Sequence, residues 1–221
     1  LNCLEWEHMP IQPTGEMTER NLVKIAGLFF KNGNWESQTR FRYDKENKRR
    51  FYQVDCYSEK YNTVWEYEGP DHYDDVWKLR RDNDRESYFL NNGYKFLRWP
   101  YYCQLTKDIA KHYFGDQYND EVYLEAIRLV YGVEKEEHIL APGFHKTKNT
   151  PANYVPGGTR RFLEELNSYP RSLKCQVVHA LKLYIAEVDD PYLVIGEGPE
   201  YQELLDTDYQ KHIVNLYYSR E

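Results

Sequence analysis

Residues 35–100 contain the pattern that most restricts the fold of this chain. Three β-rich runs, at 35–44, 49–58 and 62–69, are separated by short polar turns, which predicts an antiparallel meander. Helical spacing follows over 74–93 and ends at Asn92-Gly93, and a short strand then leads to Pro100. Because a strand, a helix and a second strand in this order are typical of a crossover, we expect an α/β fold.

The elements around this stretch divide the chain into three parts. The first, 1–17, reads as an irregular arm because Pro10, Pro13 and Gly15 interrupt it. A helix is predicted over 17–33, with Thr18 as its N-cap. We therefore expect an α/β core over 18–115, followed by a largely helical region over 116–221.

Helical patterns dominate the rest of the chain. Helices are predicted at 104–115, 119–132, 159–169, 170–188 and 198–218. The segment 141–158 contains three prolines and three glycines and is predicted to be a long loop, a kind of segment that is usually functional or disordered. Thr159 follows it as an N-cap, and the helix start behind it could bind a phosphate.

Composition limits the class of protein. A net charge of −7 argues against a surface that binds nucleic acid all over, but it allows a local basic face. The four cysteines are scattered without a CxxC pair, which is typical of reduced thiols in a cytosolic protein rather than a disulfide framework or a zinc site. No apolar run approaches about 18 residues and no signal peptide is recognised, so we expect a cytoplasmic protein without a membrane partner.

Three carboxylates fall inside predicted strands, where an unpaired charge is costly. Asp55 comes late in the second strand, and strand alternation puts Glu66 and Glu68 on one face of the third. If the two strands pair through their turn, Asp55 lies near that face. Converging carboxylates suit Mg²⁺. The chain is expected to turn after the third strand and to expose His72 there, where it could act as a general acid or base in phosphodiester hydrolysis. Spacing alone is also typical of a solvated strand face.

The surrounding residues resemble the small PD-(D/E)XK nucleases related to the very-short-patch repair (Vsr) endonuclease. The resemblance extends over roughly residues 50–99, and its motifs are Val54-Asp55, Val64 to Gly69 with His72, Asp82 with Arg85, and Gly93-Tyr94 through Leu97-Arg98-Trp99. It implies a restriction-endonuclease-like core, in which helices flank a mixed central sheet, and a Mg²⁺ cofactor that Mn²⁺ can replace. Residues 100–221 lie outside the resemblance.

The resemblance also implies which residues hold the metal. Asp55 and Glu66 would be the core ligands, together with the backbone carbonyl of Tyr67. Glu68 occupies the position at which the general motif has lysine, and it would be a further ligand or a base. Glu19 in the first helix matches a glutamate that often faces the metal site in this family.

Four further residues receive roles from the same resemblance. His72 would be a general acid or base, or a phosphate contact. Asp82 and Arg85 are expected to form a structural ion pair near the site. Arg98, at the end of its strand, is expected to contact phosphate or to pair with Asp82.

Several basic clusters are candidate contacts to the phosphate backbone of DNA, although each also fits a solvated surface. They contain Arg40, Arg42, Lys48, Arg49, Arg50, Arg81, Lys146, Arg160 and Arg161. The 22 tyrosines either cover a modest core or stack on bases. Four tryptophans, Trp6, Trp35, Trp77 and Trp99, are predicted to lie in the core.

Three functional hypotheses follow. The first is a Mg²⁺-dependent endonuclease acting on double-stranded DNA of a prokaryotic or phage nucleoid, with a helical C-terminal part for target binding or dimerisation. The second is a catalytically inactive, DNA-binding or regulatory protein with a nuclease fold. The third is a partner-binding protein in which the helical half is the functional part. RNA remains an alternative substrate, because the same metal chemistry hydrolyses either backbone.

Overall fold

A computed structural model describes residues 13–44, 50–132, 144, 153–174 and 176–177 of the chain. Most of the predicted loop at 141–158, most of the predicted helix at 170–188 and all of that at 198–218 lie outside the described residues. The elements in chain order are α1 (Glu19–Phe29), β1 (Glu36–Arg42), β2 (Phe51–Ser58), β3 (Thr63–Glu68), α2 (Asp71–Asp74), α3 (Val76–Asn91), β4 (Lys95–Pro100), α4 (Lys107–Phe114), α5 (Asp120–Tyr131) and α6 (Pro156–Ser168).

The four strands form one mixed sheet in the order β1-β2-β3-β4. β1 pairs with β2 and β2 with β3 in antiparallel fashion, as the short polar turns predict. β4 pairs with β3 in parallel, with Glu66 opposite Arg98, and α3 forms the crossover between them. The predicted meander and crossover are therefore confirmed, and the chain is an α/β protein with helices flanking a mixed sheet.

The two faces of the sheet bury different residues. Trp65 of β3 and Trp99 of β4 pack in the main core, which also contains Leu22 of α1. Val64, the neighbour of Trp65, instead packs against Phe89 of α3. Since side chains alternate along a strand, Glu66 and Glu68 share the face of Val64 and point toward α3. The carboxylates of β3 thus lie on the side of the sheet that α3 covers.

Helix α6 is held against the short helix α2. The Val155 N–H donates to the carbonyl of Tyr73 over 3.1 Å. Gly158 lies so close to the same carbonyl that a Cβ atom there would overlap it. The main core includes Phe162 and Leu166 of α6 together with the sheet residues, so the last described helix is packed into the same core.

Three local expectations were wrong. Thr159 is not an N-cap, because α6 already begins at Pro156, which favours the first turn of a helix, and Thr159 is buried within it. His72 is not in an exposed turn but is buried in α2. Trp77 is 72% exposed, because it lies about 200° around α3 from the buried Leu79.

The other predicted core tryptophans follow the pattern more closely. Trp99 is buried and Trp35 is half-buried against the main core, whereas Trp6 lies outside the described residues. Among the described helices, none is both long and apolar enough to cross a membrane.

We expect Gly158→Ala to destabilise the protein by about 1–3 kcal/mol, because the added methyl group must displace the Tyr73 carbonyl or α6 itself. Gly27→Ala is the matched control. Gly27 also lies inside a helix, but an added Cβ meets nothing within 4 Å, so this change is expected to be neutral or to stabilise by up to about 1 kcal/mol. Urea unfolding of both variants measures the difference, and equal effects would contradict the tight docking of α6.

Candidate functional site

A cleft of about 550 Å³ opens between α1, the sheet and α3. Four residues with predicted catalytic roles line it: Glu19, Asp55, Glu66 and His72. They come from four different elements, namely α1, β2, β3 and α2. The fold therefore brings together residues that are up to 53 positions apart in the sequence.

Three of these residues, Glu19, Asp55 and Glu66, form what we call the acid cluster. Cys56 pairs with Trp65, so the next residues along the antiparallel strands, Asp55 and Glu66, lie across from each other. The carboxylate of Asp55 is held in place by the Tyr67 N–H, which donates to Oδ2 over 2.8 Å. The register of β2 and β3 thus brings Asp55 close to Glu66, as predicted.

Gln38 of β1 is a member of the site that the sequence did not point to. Its Nε2 donates to Glu19 Oε1 over 2.5 Å and to Asp55 Oδ1 over 3.0 Å. Gln53 donates to its Oε1 and so fixes the orientation of the amide. Gln38 has a φ of +54°, a conformation that a side chain with a Cβ rarely adopts. A backbone distortion in an edge strand thus turns an amide toward two carboxylates.

Glu66 is only 2% exposed, and its charge is incompletely balanced. Oε2 lies 3.3 Å from the guanidinium of Arg85. Oε1 is buried without a hydrogen-bond partner among the described residues. Burial raises the pKa of Glu66 well above its usual range, against the opposing charge of Arg85, and the negative charge of Asp55 adds to the rise. An ionised Glu66 would be stabilised by a further positive charge in the cleft.

A second group, which we call the ion network, lies deeper and contains Glu68, His72, Asp82 and Arg161. His72 Nδ1 is 2.8 Å from Glu68 Oε2 and 2.6 Å from Asp82 Oδ2. Because ionised carboxylates only accept hydrogen bonds, Nδ1 must carry the proton. Burial opposes protonation of His72, but the hydrogen bonds to Asp82 and Glu68 raise its pKa above the usual value.

Arg161 of α6 closes this network. It contacts Glu68 directly, donates to Asp82 Oδ2 over 3.1 Å, and donates from Nε to Glu165 over 2.9 Å. Its guanidinium also lies over the ring of Tyr73, 5.2 Å from the centroid. Arg161 was predicted to contact nucleic acid, but it is only 6% exposed and its donors point into the protein. The structure therefore assigns its charge to buried carboxylates.

The positive charges around Glu68 keep this buried carboxylate ionised. Burial by itself would raise the pKa of Glu68, but the hydrogen bond from His72 and the charges of Arg161 and Arg98 lower it to about 2. Arg98 Nε is 3.4 Å from Glu68 Oε1, and Arg98 Nη2 is 2.7 Å from Glu86 Oε2. Of the two roles expected for Arg98, pairing with Asp82 is thus replaced by these two contacts, and contact with phosphate stays a prediction.

Asp82 pairs with Arg85 as well as with Arg161. Its Oδ1 accepts a hydrogen bond of 3.0 Å from Arg85 NH2, which is the geometry expected of a structural pair. The same Arg85 reaches Glu66 with its other terminal nitrogen. Arg85 is therefore the residue that connects the ion network to the acid cluster.

Two groups in this region could be considered for a metal ion. The ligand atoms of Glu68, His72 and Asp82 all lie within 4.8 Å of one another, a spacing that could hold a metal. Arg161 already contacts both carboxylates, so its guanidinium charge would repel a metal cation at this position. The acid cluster has no such arginine contact on Glu66 Oε1 or on Asp55 among the described residues, and its oxygen ligands suit a hard cation.

The other predicted nucleic-acid contacts divide into three groups. Arg81 is exposed and lines the cleft beside Lys78. Arg40, Arg42, Arg50 and Arg160 are exposed elsewhere on the surface. Lys48, Arg49 and Lys146 lie outside the described residues.

Comparison of the chain with models of protein families, with curated proteins and with solved structures gave no match in any of the three. The interpretation of the cleft therefore depends on its geometry and charge.

Arg161→Met should destabilise the protein by about 3–5 kcal/mol, because it leaves Glu68 and Asp82 buried beside His72 without their strongest cation. Arg80→Met, an exposed position on α3, is the control and is expected to change stability by less than about 0.5 kcal/mol. Denaturant unfolding at neutral pH tests this. A loss for Arg161→Met as small as that of the control would contradict the buried network.

The two glutamates of β3 should respond to pH with opposite signs in metal-free buffer. Glu68 has a folded pKa of about 2 against an ordinary value of 4.5, so its charge stabilises the fold above about pH 4.5 by on the order of 3 kcal/mol. This contribution is lost as pH falls toward 2. Glu68→Gln should therefore destabilise at pH 7 and approach wild type in acid.

Glu66 has a raised folded pKa, so its ionisation opposes folding at neutral pH and the cost disappears below the unfolded pKa of about 4.5. Glu66→Gln should therefore be more stable than wild type at pH 7, with a difference that shrinks on acidification. Urea unfolding at pH 7 and pH 4 measures both variants, and Glu125→Gln on the exposed face of α5 is the control. Destabilisation by Glu66→Gln at pH 7 would contradict the charge imbalance.

Proposed function

We propose that this protein is a Mg²⁺-dependent endonuclease that hydrolyses phosphodiester bonds of DNA, with a restriction-endonuclease-like core. One observation carries the proposal. Three carboxylates from three separate elements converge on one cleft, and the most buried of them, Glu66, has an oxygen without a hydrogen-bond partner among the described residues. A buried, charge-deficient oxygen of this kind favours a site that is completed by a cation.

The donor atoms of the acid cluster fit Mg²⁺. Carboxylate oxygens are the ligands that this ion prefers, and we assign Asp55 and Glu66 as the ligands from the protein, with Glu19 beside them. When bound, a divalent cation supplies Lewis-acid chemistry toward a phosphate oxygen and a water molecule. Gln38 and the Tyr67 N–H hold the carboxylate of Asp55 in the cleft before any cation binds.

Glu68 is excluded from both of its expected roles in this proposal. With a pKa of about 2 it is a poor base at neutral pH. Its Oε2 is engaged by Arg161 and His72, and its Oε1 lies 3.4 Å from Arg98 Nε. We assign it instead to the support of His72. His72 lines the cleft, its Nδ1 is bound to Glu68 and Asp82, and Nε2 is the nitrogen left to exchange a proton with substrate or water.

Two basic residues of the cleft lining are suited to contact a phosphate. They are Arg81 and Lys78, of which Lys78 also pairs with Asp71, and the lining beside them contains the acidic Asp84. The two basic side chains would attract the nucleic-acid backbone in a salt-dependent manner, although the chain as a whole is acidic.

A DNA-binding protein without nuclease activity is the second candidate. It is favoured by one observation, the pairing of Glu68 with Arg161 at the position where the general PD-(D/E)XK motif usually has lysine. The two candidates differ in a measurable way, because only the first requires a cation at the acid cluster for turnover.

The test is nicking of supercoiled plasmid by the full chain in Mg²⁺, Mn²⁺ or EDTA, with an RNA substrate in parallel. Wild type should cut only with metal, and Asp55→Asn and Glu66→Gln should each lose at least about 100-fold in rate, because each removes a ligand charge. Glu125→Gln on α5 should cut as wild type does.

Metal binding is checked separately by thermal unfolding. Mg²⁺ should raise the melting temperature of wild type and of Glu125→Gln but not of Asp55→Asn or Glu66→Gln. DNA binding without cleavage would favour the second candidate. Cleavage by both acid-cluster variants at the wild-type rate, or cleavage in EDTA, would contradict the assignment of the site.

A further inference from the structure

Helix α6 contributes to the candidate site from a part of the chain that the motifs around the cleft do not include. Arg161 lies 93 residues after Glu68 and 79 residues after Asp82, yet it is bonded to both. α6 reaches this position because Gly158, one turn earlier, packs directly on the backbone of Tyr73. Tyr73 is the residue that follows His72 in α2.

The contacts of Arg161 are directed at the two oxygens that hold His72. Glu68 Oε2 and Asp82 Oδ2 both lie within 2.8 Å of His72 Nδ1, and Arg161 binds these same two atoms. Two ionised carboxylates so close together repel each other in a buried site. The guanidinium offsets this repulsion, and its planar fork suits simultaneous contact with two acceptors.

A second residue of α6 binds α2 next to this point. Glu165 accepts a hydrogen bond from Tyr73 Oη over 2.6 Å, and its other oxygen accepts from Arg161 Nε over 2.9 Å. Arg161 and Glu165 are neighbours on α6 at a spacing of four residues. One face of α6 therefore binds Tyr73 directly and binds the two carboxylates that hold His72.

From this geometry we infer that Arg161 is a positioning residue for His72: it holds Glu68 and Asp82 together so that both accept from Nδ1, which fixes the tautomer and directs Nε2 to the cleft. The catalytic role of His72 in this inference rests on the proposed function, whereas the orientation of its ring does not. It makes α6 a part of the catalytic unit rather than a separate target-binding module.

The test uses the full chain and the variant Arg161→Lys, which keeps a positive charge in the buried site but cannot bridge two carboxylates with a planar fork. Under single-turnover conditions with supercoiled plasmid and Mg²⁺, its cleavage rate should fall about 10- to 100-fold while its affinity for plasmid is unchanged. Adding Arg161→Lys to His72→Asn should cause no further loss, because both act through one group. Arg171→Lys, an exposed position, is the control and should match wild type.

A spectroscopic readout does not depend on nuclease activity. Long-range ¹H–¹⁵N spectra of histidine-labelled protein in EDTA report which ring nitrogen carries the proton, and His72 is identified among the seven histidines by its absence in His72→Asn. Wild type should have a hydrogen-bonded proton on Nδ1. In Arg161→Lys that proton should exchange with solvent at least about 10-fold faster.

The outcomes separate the inference from the proposed function. If wild type never cuts but the His72 signal changes as expected, the nuclease proposal fails and the positioning role stands. If His72 Nδ1 carries no proton in wild type, or if folded Arg161→Lys keeps both the wild-type signal and the wild-type rate, the inference fails. Weaker plasmid binding with a smaller salt dependence would make Arg161 a phosphate contact and would overturn it as well.

Discussion

The contact of one arginine with two buried carboxylates is the interaction on which the described structure around the cleft depends. Without Arg161, Glu68 and Asp82 would face each other across His72 as buried carboxylates, and buried charges without partners cost several kcal/mol. The same contact holds α6 in place together with the close packing of Gly158 on the backbone of Tyr73. Sheet, α2, α3 and α6 are thus connected through a single side chain.

The two acidic groups of the site differ in how their charge is balanced. Glu68 and Asp82 have arginine partners, and the pKa of Glu68 is lowered in consequence. Glu66, two residues earlier on the same strand, has a raised pKa, and its Oε1 has neither a hydrogen bond nor an ion-pair contact among the described residues. Oε1 of Glu68, by contrast, lies 3.4 Å from Arg98 Nε. A fold selected for stability alone would not be expected to retain such a group, whereas perturbed carboxylates are common at functional sites. The contrast within one strand favours the acid cluster, and not the ion network, as the place for a cation.

Most of the fold could be predicted from local sequence patterns, whereas most of the site depends on contacts between residues far apart in the sequence. Strand alternation and turn spacing predicted the meander, the crossover and the shared face of Asp55 and Glu66, because each depends on neighbours in sequence or on one hairpin. The role of Arg161 could not be predicted, because its partners are 79 and 93 residues away. Gln38 was missed because a positive φ at a residue other than glycine has no sequence signal, and Trp77 because its helix buries only one side.

The carboxylate at position 68 and the arginine of α6 are linked by electrostatics. A lysine at this position would place its ammonium beside Arg161 and Arg98, and like charges in a buried site are strongly unfavourable. Conversely, Glu68 alone would leave an unbalanced anion next to Asp82. Opposite charges at positions 68 and 161 therefore stabilise the described packing. Because α6 brings a cation to this point of the sheet, it favours an acid rather than a lysine at position 68.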